Sequence, residues 1–350
     1  PQGSWVRERE PIVRITGPSF LVSWLESLII WMQFPIQVAT EAIVGKRTRF
    51  LCTCEDEAAI VRLTLQTVGV LGGAVVEVDE AYSTSVRDHA MRISRVLDDS
   101  LARVFEVGMR GATCMQMHRI ALGQLLDLGL AGTSNVYLAN ELGLLAVGTT
   151  GHEYQLRYES DAEAFRAIRD QRVAPPSYLF DTIDALKVGI PAAIEVLRES
   201  PERRASVRFD SGNTRAQILE FYEAGVRPPF IFMDGMNDEK ISELRELQEE
   251  LDAQGSPWLF GVGGFLVARA ARTELTRDRV SAVYKLSETG GRSVMKFSVP
   301  GKESIPGKPL VWRMASGGAW HSIIAQEGER FTRGKRLGPA TDRSPPLFSG

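Results

Sequence analysis

The middle of the chain repeats one pattern: a short apolar run, a polar corner with glycine, and then an amphipathic stretch with helical spacing. ASVRF leads into DSGN, PFIFM leads into DGMN, and PWLFGV leads into GG. Successive units of this kind require parallel strands joined by right-handed crossovers. No GxGxxG motif opens a first unit, which disfavours a dinucleotide-binding fold. The pattern therefore predicts an α/β fold, an irregular parallel βα barrel over residues 106–280, with function at the carboxyl ends of its strands.

The two ends of the chain show a different pattern. Residues 1–50 and 281–350 contain short alternating stretches separated by Gly and Pro, which is typical of antiparallel strands. We expect them to form one antiparallel, sandwich-like α+β domain with a helix, into which the barrel is inserted. Residues 51–105 carry amphipathic patterns at 57–71 and 87–105, with GGAVVEVDEAY between them predicted to be a strand, and the segment is predicted to be a helical insertion or linker.

The longest apolar run, residues 18–39, is predicted to be a buried helix. It contains Glu26 and Gln33 and is interrupted by Pro35. Because an unpaired carboxylate is costly in the middle of a bilayer, the run is disfavoured as a membrane span.

Composition narrows the class of protein. Of the 350 residues, 44% are hydrophobic and 24% are charged, as in ordinary globular proteins, and the net charge of −3 disfavours a nucleic-acid-binding surface. The three cysteines show no spacing typical of a zinc site, and we interpret them as reduced thiols. We therefore expect a cytoplasmic protein that binds neither nucleic acid nor a membrane.

Two corners carry residues suited to catalysis or phosphate binding. His152 follows Gly151 in the second of two Gly-Thr corners. The alternative to a functional role is that His152 is a core histidine satisfied by one hydrogen bond. Arg208 and Asp210 point to the same side of their strand because side chains alternate along it. An arginine and an aspartate at one corner can bind phosphate and either a ribose or a metal ion. The alternative is that this corner is a simple surface turn.

Three stretches resemble the nicotinate phosphoribosyltransferase family in sequence and in order: GTSNVYLANELGLLAVGTTGHEY at 132–154, RFDSGN at 208–213 and VYKLSE at 283–288. SFLVSWLESLIIWMQFPIQVATEA and EVGMRG are similar to further motifs of that family. The resemblance covers roughly residues 1–313. It implies a type II phosphoribosyltransferase-like barrel and a homodimer with active sites at the interface.

The resemblance also implies a reaction. The family transfers the phosphoribosyl group of phosphoribosyl pyrophosphate (PRPP) to nicotinate, with ATP hydrolysis, to give nicotinate mononucleotide and pyrophosphate in NAD salvage. ATP is the co-substrate, and Mg²⁺ enters with PRPP, with Asp210 as its candidate protein ligand. His152 matches the position of the histidine that the family phosphorylates.

The site residues implied by the resemblance fall into three groups. The catalytic pair is His152, as the phosphohistidine, and Asp210. Substrate binding is predicted for Arg110, Ser134, Asn135, Thr182, Arg208, Ser211 and Gly212. Phosphate binding is predicted for Asp234, Gly235, Gly263 and Gly264.

Some features depart from the family or leave alternatives open. Val107 stands where the family has an aromatic residue that stacks on the base, and Gly264 stands where it commonly has threonine. The chain is expected to lack an N-terminal segment of the family. Ser134 favours nicotinate, because the nicotinamide-using relatives place an acidic residue there. MRG and Asn213 look more like the nicotinamide branch, so nicotinamide phosphoribosyltransferase is one alternative, and a catalytically silent homologue acting as a binding or scaffold subunit is another.

Overall fold

The computed structural model describes residues 10–171, 174–251, 256–268, 282–297, 304–316, 319–327, 329 and 335–336. The chain divides into two compact units. The larger unit is Leu25–Tyr284, and the smaller unit combines Pro1–Trp24 with Lys285–Gly350. The predicted domain boundaries at residues 50, 105 and 280 stay predictions.

The larger unit is built on a parallel sheet of seven strands. They are β3 (Val104–Glu106), β4 (Gly132–Thr133), β5 (Leu145–Ala146), β6 (Ser177–Leu179), β7 (Ser206–Phe209), β8 (Phe230–Phe232) and β9 (Trp258–Val262). Their order is β5-β4-β3-β9-β8-β7-β6, and every neighbouring pair is parallel. This is the circular order of a barrel that is open between β5 and β6, so the predicted irregular βα barrel is confirmed.

Most of the strands are buried on both faces because helices cover the sheet, whereas both residues of the edge strand β5 are exposed. All three residues of β6 and of β8 are buried, as parallel sheets require. Aromatic rings fill the interior between β7, β8 and β9. The ring of Phe209 lies 4.8 Å from that of Phe232, which lies 4.8 Å from that of Trp258. This rigid core holds the polar residues that follow each strand.

From Glu55 onward, the helices of this unit lie between successive strands or directly after β9. They are α4 (Glu55–Thr67), α5 (Ala81–Val96), α6 (Met115–Gly123), α7 (Val136–Leu142), α8 (His152–Gln155), α9 (Asp161–Gln171), α10 (Ile190–Glu199), α11 (Thr214–Glu223), α12 (Asp238–Glu250) and α13 (Gly264–Val267). Asn135, Asn213 and Asn237 cap α7, α11 and α12 through their side-chain oxygens. Each cap ends a polar corner and fixes the direction in which the following helix leaves the sheet.

Residues 51–105 contain more than helices. Strands β1 (Arg49–Cys52) and β2 (Val75–Val78) pair in parallel, and α4 connects them. Helix α5 packs on the barrel core through Tyr82, Val86 and Ile93. The segment is thus a small βαβ element followed by a helix that belongs to the main core.

The apolar run near the N-terminus forms α1 (Ser19–Val22), α2 (Glu26–Trp31) and α3 (Gln33–Ile43). The prediction of a buried helix is wrong, because only 17% of its most apolar stretch is buried. Ser19–Ile43 is long and apolar enough to cross a membrane by length and composition alone, which is weak evidence because core helices of soluble proteins meet the same criteria. The sequence shows the apolar positions but cannot show whether this chain covers them.

The smaller unit contains antiparallel strands. β10 (Glu288–Thr289) pairs with β11 (Arg292–Ser293), and β12 (Pro309–Ser316) pairs with both β13 (Ala319–Gln326) and β14 (Lys335–Arg336). Strands are not present in residues 10–18, where the sequence pattern predicted them, and residues 1–9 lie outside the described part. Arg313 on β12 pairs at 2.8 Å with the buried carboxylate of Glu10, so the two chain ends meet within this unit.

Candidate active site

The polar residues that follow β6 and β7 meet at His152, the first residue of α8. The Nε2 atom of His152 lies 2.8 Å from Asp181 Oδ1 and 3.8 Å from Asp210 Oδ2. Ser211 donates its hydroxyl hydrogen to Asp181 Oδ2 at 2.5 Å. Because β6 and β7 are neighbours, Asp181 and Asp210 end at the same edge of the sheet.

Burial differs across this cluster. Asp181 is fully buried, the His152 side chain is 11% exposed, and the Asp210 side chain is 27% exposed. A carboxylate can only accept, so the short contact requires a proton on His152 Nε2 that is donated to Asp181. The cluster therefore has an anchored inner carboxylate, an oriented imidazole and a partly exposed outer carboxylate.

Ligand atoms of His152, Asp181 and Asp210 lie within 4.8 Å of one another and could hold a metal ion. Carboxylate oxygens are the ligands that Mg²⁺ prefers, usually one or two of them together with water and substrate phosphates. Since both oxygens of Asp181 already accept hydrogen bonds, Asp210 is the better fit for such an ion.

Arg208 lies beside this cluster and is 8% exposed. Its guanidinium donates to the Thr149 hydroxyl and, at 3.1 Å, to the Thr150 carbonyl, and it approaches Asp210 Oδ1 at 3.9 Å. Burial lowers the pKa of Arg208, while Asp210 opposes that effect. Thr150 also donates to the carbonyl of Ser177 at 3.4 Å, so Arg208 and this loop bridge the opening between β5 and β6.

Two predicted substrate-binding residues are directed into the protein. The buried Thr182 hydroxyl donates to Gln155, whose amide donates in turn to the Leu179 carbonyl. Asn135 is buried, its oxygen caps Leu138 N at 3.1 Å, and its amide nitrogen contacts His118 at 3.0 Å. The predicted substrate contacts of Thr182 and Asn135 stay predictions, and the observed contacts of both side chains are structural.

The predicted base-binding residues follow β3 and β4. Arg110 lies in a turn at Met109–Gly111 and forms a half-exposed ion pair of 3.0 Å with Glu26. Ser134 is half-buried at the corner after β4. The positive charge of Arg110 contributes to lowering the pKa of Arg208.

The predicted phosphate-binding corners follow β8 and β9. Asp234 has a φ of +71° and Gly235 a φ of +67°, and Lys240 Nζ donates to the Asp234 carbonyl at 2.9 Å. A left-handed conformation is costly for aspartate and is held here by its surroundings. Gly263 and Gly264 begin α13 beside the corner after β3. Gly212, with a φ of +93°, completes the corner after β7.

The sequence predicted His152, Arg208, Asp210 and Ser211 as residues of one site. It did not predict Asp181, Gln155 or Thr149 as residues of that site. Asp181 was visible as the first charged residue after the apolar run SYLF, which marks a strand end. Thr149 lies in the second Gly-Thr corner, but its partner Arg208 is 59 positions away, and Gln155 gives no local signal because its partners are 24 and 27 positions away.

The fold and this cluster define a βα-barrel protein with its polar site at the carboxyl ends of the strands. A model of the nicotinate phosphoribosyltransferase (NAPRTase) family matches residues 102–308, and the chain belongs to that family. The predicted family relationship is thereby confirmed.

Individual relatives agree with this assignment. The chain is 29% identical over 271 residues to the nicotinate phosphoribosyltransferase of Bacillus subtilis, covering 73% of this chain and 52% of that protein. It is 30% identical over 212 residues to nicotinate phosphoribosyltransferase pncB2 of Mycobacterium tuberculosis, covering 58% of this chain and 42% of the relative. The chain thus spans about half the length of these curated relatives or less.

Solved structures show the same fold. The crystal structure of nicotinate phosphoribosyltransferase from Porphyromonas gingivalis has a TM-score of 0.55 at 19% identity, over 82% of this chain and 68% of that one. The Vibrio cholerae enzyme has a TM-score of 0.51 at 22% identity, over 71% of this chain and 62% of that one.

Proposed function

We propose that this protein is a nicotinate phosphoribosyltransferase, which transfers the phosphoribosyl group of PRPP to nicotinate with ATP hydrolysis and releases nicotinate mononucleotide and pyrophosphate. The observation that carries the proposal is the His152–Asp181–Asp210 cluster beside the buried Arg208, within the region matched by the family. An assembled cluster of this kind favours an active enzyme over a silent scaffold subunit.

His152 is the proposed phosphate acceptor. With its Nε2 proton donated to Asp181, the neutral ring has its lone pair on Nδ1, and neutral imidazole is a competent nucleophile near neutral pH. Attack on the terminal phosphorus of ATP forms the N–P bond and breaks the P–O bond to ADP. The ring becomes cationic as this happens, and the buried Asp181 carboxylate stabilises that charge.

Donor binding is assigned to Arg208, Asp210, Ser211 and Gly212. Arg208 supplies a charge for phosphate, and Asp210 is the proposed ligand of the Mg²⁺ that enters with PRPP. The bound ion would neutralise charge on the leaving pyrophosphate. The corners at Asp234–Gly235 and Gly263–Gly264 are the proposed phosphate-binding loops, in agreement with the usual site after the last two strands of a barrel.

Base selection is assigned to Arg110 and Ser134. A hydroxyl at Ser134 can donate to the carboxylate of nicotinate, and an acidic residue there would repel it. The Arg110–Glu26 ion pair offsets part of the positive charge of Arg110. Nicotinamide therefore stays the competing base, and direct comparison of the two bases decides between them.

A homodimer is proposed as well. Leu28, Met32 and Ile36 recur at spacing of four on one helical face and are 55%, 53% and 43% exposed. An apolar stripe of this kind favours a protein contact. Cys52, Cys54 and Cys114 are all free thiols, which supports a reducing, cytoplasmic location.

The test is product formation from nicotinate and from nicotinamide, each with PRPP and Mg²⁺, in the presence and absence of ATP. We expect nicotinate mononucleotide to form, with ADP released and the yield raised by ATP. Turnover of nicotinamide alone would reassign the base, and turnover of neither base would favour the scaffold alternative.

A further inference from the structure

A second buried polar cluster lies outside the His152 site. It consists of Glu106 at the end of β3, His118 on α6, Thr133 at the end of β4 and Asn135 at the start of α7, all buried. Burying a carboxylate is costly unless hydrogen bonds compensate. The cluster is therefore expected to be completely hydrogen-bonded, and its contacts show what it holds in place.

Glu106 joins two corners of the barrel. Its Oε1 accepts from the backbone N–H of Gly108, and its Oε2 accepts from the Thr133 hydroxyl at 2.5 Å. Its own carbonyl accepts from the backbone N–H of Ser134 at 2.8 Å. One residue thus binds both the turn that carries Arg110 and the corner that carries Ser134.

His118 is the remaining partner of Glu106, and its contacts determine which ring nitrogen carries the proton. Asn135 Oδ1 accepts from Leu138 N at 3.1 Å, so its amide NH₂ must face His118 Nδ1, 3.0 Å away. Nδ1 is then an acceptor, and the ring proton resides on Nε2, 3.0 Å from Glu106 Oε2. The helix cap at Asn135 therefore orients His118 so that it donates to Glu106.

The corner after β3 has no spare room. A Cβ added at Gly108 would lie 2.7 Å from the Gly263 carbonyl oxygen and 2.8 Å from Glu106 Oε1. A shift of the Glu106 carboxylate must therefore move the Gly108 turn and, with it, Arg110.

We propose that Glu106, oriented by His118 and Asn135, is a positioning residue that holds Arg110 and Ser134 in the arrangement needed to bind the base. This inference rests on the proposed function, because it concerns base affinity. The donor residue Arg208 lies in β7 and Asp210 directly follows it, whereas Glu106 ends β3, so the two affinities should separate.

The experiment compares two isosteric variants, Glu106→Gln and Glu57→Gln. Glu57 is an equally buried carboxylate on α4 that accepts from the backbone and hydroxyl of Thr53. Glu106→Gln should raise the KM for nicotinate by about tenfold or more and leave the KM for PRPP within about twofold. Glu57→Gln should lower the Tm but leave both KM values within about twofold.

His118 provides a second pair of variants in case Glu106→Gln does not fold. The amide nitrogen of His118→Gln can still donate to Glu106, whereas His118→Ala cannot, so the glutamine variant should have the lower KM for nicotinate. Nitrogen NMR of the wild-type protein should show that the neutral His118 ring carries its proton on Nε2. This measurement does not require the protein to be catalytically active.

Several results would overturn the inference. They are an unchanged nicotinate KM in folded Glu106→Gln, a parallel rise of both KM values, equal KM values for the two His118 variants, or a proton on His118 Nδ1. If the wild-type protein uses nicotinamide, the proposed choice of nicotinate is wrong. The same KM comparison is then made with nicotinamide. A wild-type protein that turns over neither base ends the proposed function and this inference together.

Discussion

Asp181 is the residue whose substitution tests the His152 site most sharply. Asp181→Asn keeps the shape of the side chain and removes its charge. The asparagine oxygen can still accept from His152 Nε2, and its NH₂ can donate to the Ser211 hydroxyl oxygen, so both contacts have a neutral replacement. The variant should therefore fold.

The size of the effect follows from the charge that is lost. Hydrogen bonds to charged groups contribute about 1.5–3 kcal/mol and neutral ones about 1 kcal/mol. The difference, about 0.5–2 kcal/mol, applies most strongly when the His152 ring becomes cationic during phosphoryl transfer. We expect ATP-coupled turnover to fall about 2- to 30-fold, because that energy corresponds to this factor.

The assay is ADP release coupled to mononucleotide formation, with Asp184→Asn as the matched control. Asp184 lies three positions further along the same loop, where its side chain caps Lys187 N at 3.0 Å. Asparagine caps helices as well as aspartate does, so this variant should keep wild-type turnover and stability. A folded Asp181→Asn protein with wild-type coupled turnover would refute the proposed role of the buried carboxylate.

Three further substitutions test other parts of the account. Asp210→Ala should raise the KM for PRPP or abolish turnover without loss of Tm, and unchanged kinetics would remove this corner from the site. Ser134→Asp should cost about 1–3 kcal/mol in nicotinate use, because it places a carboxylate against a carboxylate, and wild-type nicotinate turnover would assign that contact elsewhere. Burial, helped by the charge of Asp181, raises the pKa of Asp161 to about 6. Because the folded protein then holds this proton more tightly than the unfolded chain, its stability falls as pH rises from about 4 to 6. Asp161→Asn should stabilise the protein by about 3 kcal/mol at pH 7 and by little below pH 4 in urea unfolding, and an equal gain at both pH values would contradict this.

The barrel was predictable because its longer strands have distinct apolar runs. ASVRF and PWLFGV are buried stretches bounded by polar corners, and these became β7 and β9. Strands β4 and β5 have two residues each, too few for any periodic pattern, and only the pairing of β4 with β3 and of β5 with β4 defines them.

The Glu106 cluster was not predictable for a different reason. Its hydrogen bonds join residues 12 and 27 positions apart, and they depend on how α6 is rotated against the sheet. The local signal was Glu106, a charged residue at the end of the apolar strand VFE. The neighbouring motif pointed to Arg110 instead, so Glu106 was not assigned. The exposed apolar face of α2 and α3 had no such signal, because exposure depends on what else covers the helix.

The most direct test of the account is phosphate transfer to His152. Incubation with ATP labelled in its terminal phosphate should give a protein-bound phosphate that is stable to base and labile to acid, located at His152 by mass spectrometry. His152→Ala should lose this label and the ATPase activity while it retains slow, uncoupled phosphoribosyl transfer. A folded His152→Ala protein whose ATP-coupled turnover is intact would contradict the proposed mechanism.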